Sequence, residues 1–217
     1  MSVWDYVARN TFDSPDTQIR LLVDRAGKIF KNKKIKILDA GGGLVSRDSL
    51  LKTLGDITVL DLVPSPSVDV VGDLHDLPFK DNSFDLISLF MVMEHLHDPL
   101  IALSECQRVL RKGGVLIGTT VQYWHGHAHP HDYFRYTKGG LEHIFAKSKL
   151  EVVDMWSSGG PFLVLYHVLE LNLPSFLRKL VLLTCPLFNY LDKIVFDHAD
   201  KRKNNDSVGW SFILRKS

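Results

Sequence analysis

The first place in this 217-residue chain where residue type and spacing imply chemistry is Asp39-Ala40-Gly41-Gly42-Gly43. Consecutive glycines let the backbone turn sharply and let a ligand lie against it. The phosphate-binding pattern G-x-G-x-x-G would need a glycine at position 46, which is Ser46. A carboxylate two residues before the first glycine would also repel a pyrophosphate. It suits a ligand that carries positive charge, such as a sulfonium or an ammonium. Asp61 follows ~20 residues after the glycines, the separation at which an acid can hold ribose hydroxyls. A second cluster is the tract "HGHAHPHDYFRYT", in which His125, His127, His129 and His131 alternate. A histidine there could serve as a base, could order the loop through hydrogen bonds, or could bind zinc. Pro130 and the lack of a clear acidic or cysteine partner disfavour the metal, and no metal site is expected.

These residues need strands to present them. Apolar runs predict strands at 34–40, 56–62, 68–74, 83–91, 115–121, 150–157 and 208–216. Helices are predicted at 14–31, capped by Ser14 with Pro15 at the first position, and at 46–55, ending at Gly55. Further helices are predicted at 98–114, stopped by glycines, and at 137–148, capped by Thr137. In the first helix, Ile19, Leu22, Val23 and Ala26 share one face. Strands alternating with helices predict a doubly wound, mainly parallel α/β sheet in a single domain, 1–217. Ligands of such sheets bind beyond the carboxyl ends of the strands. The glycines and the histidine tract follow two of those ends.

Composition narrows the classes. A formal net charge of +1 argues against a general electrostatic nucleic-acid binder. Two isolated cysteines, Cys106 and Cys185, give neither a disulfide framework nor a CxxC signature, so a reducing, cytoplasmic setting is expected. The start of the chain lacks the pattern of a secretory signal, and no uninterrupted apolar run reaches the length of a membrane span.

The stretch "GDLHDLPFKDNSFDLISLFMVMEHLHDP" (72–99), followed by "RVLRKGGVLI" (108–117), resembles the class I S-adenosylmethionine-dependent methyltransferases. More narrowly it is similar to the group sharing the methyltransferase type 11 domain. The resemblance covers residues 35–157 and resumes at the final strand. It implies a Rossmann-like sheet of seven strands with the last antiparallel, and S-adenosylmethionine as cofactor. Asp39, Gly41 and Gly43 match the family's D/E-x-G-x-G loop, so residues 39–43 are expected to meet the methionine end of the cofactor. Asp61 matches the ribose-binding acid and Leu62 the residue packed on adenine. Asp73 and Leu74 match the pair whose acid bonds the adenine amino group. Leu89 and Phe90 match residues beside the methionine moiety, and Glu94 and His95 a frequent pair just after it. Many members carry a third glycine where this chain has Val45.

Methyl transfer is an in-line displacement that needs alignment and exclusion of water more than a catalytic dyad. A base is needed only where the acceptor keeps its proton until attack. His131, His95 and Tyr133 are the candidates for contact with the acceptor, which is expected to be a small molecule or lipid-like. Residues 159–206 form an apolar helical insertion between the last two strands, punctuated by Pro174 and Pro186. It reads as a lid, as a homodimer interface, or as a membrane-surface element with Arg178, Lys179 and Lys193 near head groups. A nicotinamide-dependent oxidoreductase is the rival enzyme, disfavoured by Ser46 and Asp39. A binding module without turnover is the rival outside catalysis.

Overall fold

Strands β1 (Ile35–Ala40) and β4 (Phe84–Phe90) are mainly apolar and buried at all but one position each, as expected of strands covered on both faces. The computed structural model describes residues 15–31, 33–43, 48–128, 130–196 and 206–217. The predicted cap at Ser14, and Val45, Ser46 and His129, lie outside the described residues. Around β1 and β4 assemble β2 (Gly55–Asp61), β3 (Val70–Val71), β5 (Leu110–Val121), β6 (Leu150–Ser158) and β7 (Gly209–Lys216). Their order across one seven-stranded sheet is β3-β2-β1-β4-β5-β7-β6. β1 to β5 pair in parallel, and β7 runs antiparallel to both β5 and β6.

Helices cover both faces. Ile19, Leu22, Val23 and Ala26 of α1 (Pro15–Ile29) pack on Ile37, Leu86, Val115 and Ile213. On the other face, Leu103 and Cys106 of α3 (Pro99–Val109) and Leu141 and Phe145 of α4 (Lys138–Lys147) join Leu38, Leu89, Leu116 and Phe212. Thr137 caps α4 as expected, its side chain accepting from the Gly140 N–H. Both cysteines are buried and outside any disulfide, and burial pushes the Cys106 thiol up to about 12.

Several boundaries differ from the sequence expectation. The helix expected over 46–55 is described only as the short α2 (Asp48–Leu51), and Gly55 opens β2 instead of ending a helix. A Cβ at Gly55 would stand 1.9 Å from the Ile35 carbonyl oxygen, so close strand pairing selects the glycine. The helix expected to reach Gly114 ends at Val109, where Leu110 turns extended. Gly113, with φ 75°, lies where the β4–β5 register shifts: the pair Gly113-Gly114 belongs to a bulge and is no helix stop. The strand expected over 68–74 shrinks to two residues.

The insertion forms α5 (Pro161–Asn172) and α6 (Ser175–Phe196). Pro174 separates them, whereas Pro186 sits inside α6. The pair closes on itself through Leu163, Tyr166 and Cys185, with Phe188 and Val208 alongside. Its outer face keeps Leu165, Val168, Leu171, Phe176 and Leu180 exposed, so apolar residues all round a helix did not mean full burial here. No helix of the described residues is long and apolar enough to cross a membrane.

One carboxylate fastens the pair. Asp192 of α6 accepts hydrogen bonds from the backbone N–H groups of Gly160, Phe162 and Leu163, at 3.0, 2.9 and 2.9 Å. These are donors at the start of α5 that no helical carbonyl can reach. Asp192→Ala is expected to cost about 1–3 kcal/mol, lowering the melting midpoint by about 2–12 °C for a chain of this size. Limited proteolysis should then cut first between residues 159 and 196. Unchanged proteolysis there would show that the cap is dispensable.

Candidate active site

The chain leaves β1 through the glycines, and each is required by a different neighbour. Gly41 has φ 79° and donates its N–H to the Leu60 carbonyl at 2.7 Å. A Cβ there would lie 2.5 Å from Val92 Cγ2. A Cβ on Gly42 would lie 2.3 Å from Asp39 Oδ2, and one on Gly43 2.8 Å from Asp61 Oδ2. The loop is thus pressed between the ends of β1, β2 and the segment after β4. Such a cradle admits a ligand against bare backbone.

Asp61 ends β2 with both oxygens engaged. Oδ2 accepts from the Gly43 N–H and Oδ1 from the Val63 N–H, each at 2.9 Å. Each carboxylate oxygen has lone-pair capacity for a further donor, such as a ribose hydroxyl. Leu62 beside it is 54% exposed, a surface on which a flat base can rest. Asp73 accepts from the His75 N–H at 2.9 Å and lies 2.6 Å from its Nδ1. Burial alone would raise this carboxyl, but the His75 contacts outweigh it and hold the group below its ordinary range.

The other expected cofactor residues sit deeper. Asp39 is buried and its Oδ1 accepts from Ser88 Oγ at 2.6 Å. Ala40, Leu74, Leu89 and Phe90 are buried in the core. These side chains shape the wall behind the cradle. Leu62 and Asp73, by contrast, are exposed, and Asp61 is half-buried.

A second centre forms at the ends of β4 and β5. Met91, with φ 58°, turns the chain out of β4 into a 3-10 turn, Met93–His95. Glu94 is fully buried there. Its Oε2 accepts from Thr120 Oγ1 at 2.8 Å, while Oε1 has no hydrogen-bond partner among the described residues. Burial pushes this carboxyl above its ordinary range. The Glu94 carbonyl accepts from the N–H groups of Tyr133 and Phe134, and the Tyr136 hydroxyl donates to the Met93 carbonyl. The turn and the histidine loop therefore hold each other.

Within that loop, Asp132 makes a two-pronged ion pair with Arg135, at 2.5 and 2.7 Å, and accepts from the His127 N–H at 2.8 Å. Arg135 also donates to the carbonyls of Trp124 and His125. His95 Nδ1 lies 2.5 Å from the His131 carbonyl oxygen, and the His95 and His127 rings meet edge to face at 4.9 Å. Of the three expected acceptor contacts, His95 joins Glu94 and His127 inside the turn. His131 and Tyr133 stand on its exposed rim, their rings 5.6 Å apart. Trp124 then packs edge-on against His167 of α5 at 4.7 Å, which links the insertion to the loop.

Arg135 holds the Asp132 carboxyl well below the usual carboxylate range. A depressed value means the contribution to stability is complete above the unfolded carboxylate pKa. It is lost only as pH falls through the lower folded value. Asp132→Asn is expected to raise amide exchange across 124–135 at pH 7, while the wild-type loop stays protected down to about pH 4. Equal exchange in both proteins at pH 7 would refute this role.

Glu94 and His127 were not among the expected catalytic residues. The acidic partner that the histidine tract lacks in sequence comes from the turn after β4. The signal lay in topology: both segments follow parallel strands that become neighbours.

The sheet order, the glycine cradle after β1 and the acid ending β2 define a class, the Rossmann-like methyltransferase fold. A family model described as a methyltransferase domain matches residues 38–118. Demethylmenaquinone methyltransferase of Staphylococcus haemolyticus is 44% identical over 48 residues, 22% of this chain and 20% of that protein. The stretches shared with such curated relatives span 15–22% of their length. Among solved structures, the Burkholderia thailandensis 1,6-didemethyltoxoflavin-N1-methyltransferase, with S-adenosylhomocysteine bound, superposes with a TM-score of 0.58. That match has 15% identity and covers 98% of this chain and 86% of the other. Phosphoethanolamine N-methyltransferase 2 of Haemonchus contortus, in complex with S-adenosyl-L-methionine, gives 0.52 at 16% identity, covering 100% of this chain and 60% of that one. Residues 38–118 thus match a methyltransferase domain, and the chain shares its fold with methyltransferases solved with S-adenosylhomocysteine or S-adenosyl-L-methionine bound.

Proposed function

We propose that this chain moves a methyl group from S-adenosylmethionine to a small organic acceptor held between the ends of β4 and β5, the histidine loop and α5. The observation that carries the reading is the convergence of two sites on one sheet edge. The cradle with Asp61 lies after β1 and β2, and the Glu94–His95–His127 centre lies after β4 and β5. When bound, S-adenosylmethionine supplies a methyl group on a sulfonium that leaves as a neutral thioether. The protein's part is placement. Asp61 would hold the ribose, Asp73 the adenine amino group and the glycine backbone the methionine end. His95, with Nδ1 against a carbonyl, is the candidate to take a proton from an acceptor that retains one. Contact between His167 and Trp124 supports α5 as a lid over the acceptor. The relatives named for demethylmenaquinone, toxoflavin and phosphoethanolamine chemistry support a small-molecule acceptor.

The exposed apolar face of α5 and α6 favours a second reading, a lipid-like acceptor met at a membrane surface. Calorimetric titration tests the core claim. S-adenosylhomocysteine is expected to bind one to one and NAD not at all; the reverse result would overturn it. Replacing 161–196 by a short linker should keep that binding and abolish methyl transfer, and retained transfer would remove the lid. Cosedimentation of the intact chain with anionic vesicles separates the lipid reading from the small-molecule one.

A further inference from the structure

We propose that Glu94, His95 and His127 form a binding site for one divalent metal ion of the zinc class. Their ligand atoms all lie within 4.8 Å of one another. Three ligands on one zinc at about 2.0–2.2 Å would sit about 3.3–3.5 Å apart, so closing the site asks for movement of at most about 1.5 Å. Two imidazoles and one carboxylate are a donor set of catalytic zinc sites, which leave the fourth position to water or substrate. The nitrogens point away from magnesium or calcium, which take oxygen ligands. The site uses the residues of the proposed acceptor centre, and with the ion bound the Nε2 lone pair of His95 is no longer available as a base.

Three further observations support it. Glu94 is 0% exposed and its Oε1 has no hydrogen-bond partner among the described residues, although a buried carboxylate oxygen is costly without a compensating partner. The second oxygen is already oriented by Thr120 Oγ1. Each imidazole is turned by a backbone carbonyl: His95 Nδ1 meets the His131 oxygen at 2.5 Å, and His127 Nδ1 meets the His125 oxygen at 3.1 Å. An Nδ1–H donated to a carbonyl puts the ring's lone pair on Nε2, the arrangement that metal-binding histidines commonly use. The supports are themselves fixed. The Tyr133 and Phe134 N–H groups hold the Glu94 carbonyl, and Asp132 holds the His127 N–H. The ligands therefore start close to one geometry, as a metal site requires.

The test uses the full chain, freed of metal by a chelator. Zinc chloride is titrated by calorimetry and cobalt chloride by visible absorption, with S-adenosylhomocysteine binding measured in parallel. One ion per chain at micromolar affinity or tighter is expected, with the strong visible bands of tetrahedral cobalt. Glu94→Gln and His127→Ala should each weaken zinc at least about 10-fold. His143→Ala, exposed on α4, should leave it unchanged. Should Glu94→Gln fail to fold, His127→Ala and His95→Ala decide. The proposal is overturned if zinc does not bind below about 100 μM, or if His127→Ala binds it with wild-type affinity. Because S-adenosylhomocysteine binding is read separately, failure of the metal site is distinct from failure of the methyl-transfer reading.

Discussion

Asp61→Ala is expected to bind S-adenosylhomocysteine at least about 100-fold more weakly than the wild-type chain. Hydrogen bonds between a carboxylate and hydroxyls contribute about 1.5–3 kcal/mol each, and two ribose hydroxyls are at stake. The substitution also frees the Gly43 and Val63 N–H groups, so the loop loses its anchor together with its ligand. The isosteric change sharpens the test. Both oxygens of Asp61 face backbone donors, and an amide can offer an acceptor on one side only. In Asp61→Asn the NH2 must therefore oppose an N–H. Asparagine should approach alanine in severity, which distinguishes an acceptor-only position from one that needs mere polarity. Calorimetry and ligand-induced thermal shift both report the outcome. Wild-type affinity in Asp61→Asn would remove Asp61 from the site.

The second large effect is expected at Gly42. A methyl group there would stand 2.3 Å from Asp39 Oδ2, 2.8 Å from its carboxyl carbon and 3.3 Å from Val59 Cγ1. Asp39 has little room to yield, because it is buried and its other oxygen is held by the buried Ser88. The loop itself must shift. Overpacking of this kind costs about 1–3 kcal/mol in stability. Displacement of the cradle should weaken S-adenosylhomocysteine at least about 30-fold, as a shift of the contacting backbone breaks several contacts together. Gly139→Ala is the matched control. Gly139 lies in α4 with nothing within 4 Å of an added Cβ, so alanine should bind normally and raise stability by about 0.5–1 kcal/mol. Equal affinity in both variants would mean that the cradle is not where the ligand lies.

How much of this was legible in the sequence follows from how local each signal is. The α1 face of Ile19, Leu22, Val23 and Ala26, and the mainly apolar runs of β1 and β4, are written in nearby residues and appear as expected. The antiparallel seventh strand came from the family resemblance. Glycines misled where one residue type serves several purposes. Gly55 is demanded by a neighbouring strand and Gly113 by a bulge, and neither partner is visible along the chain. Pro186 was expected to punctuate a helix, yet α6 runs through it. The residues of the second centre were the hardest to assemble. Glu94 and His127 meet only because β4 pairs with β5, and the hydrogen bonds between turn and loop finish the placement. The depths of Leu74, Leu89 and Phe90 were equally hidden, since a motif match names a position without saying which way its side chain points.

The place of β7 between β5 and β6 also constrains how the chain is made. Among the described residues β6 pairs only with β7, so the backbone of residues 150–158 has no strand to pair with until residues 209–216 have left the ribosome. During that interval β5 presents an open edge, and α5 and α6 emerge before their mooring strand exists. A nascent chain of this design carries an unpaired strand and an apolar hairpin together, the combination most exposed to misassociation. The step that completes the sheet, insertion of β7, is therefore the one that closes both exposures at once.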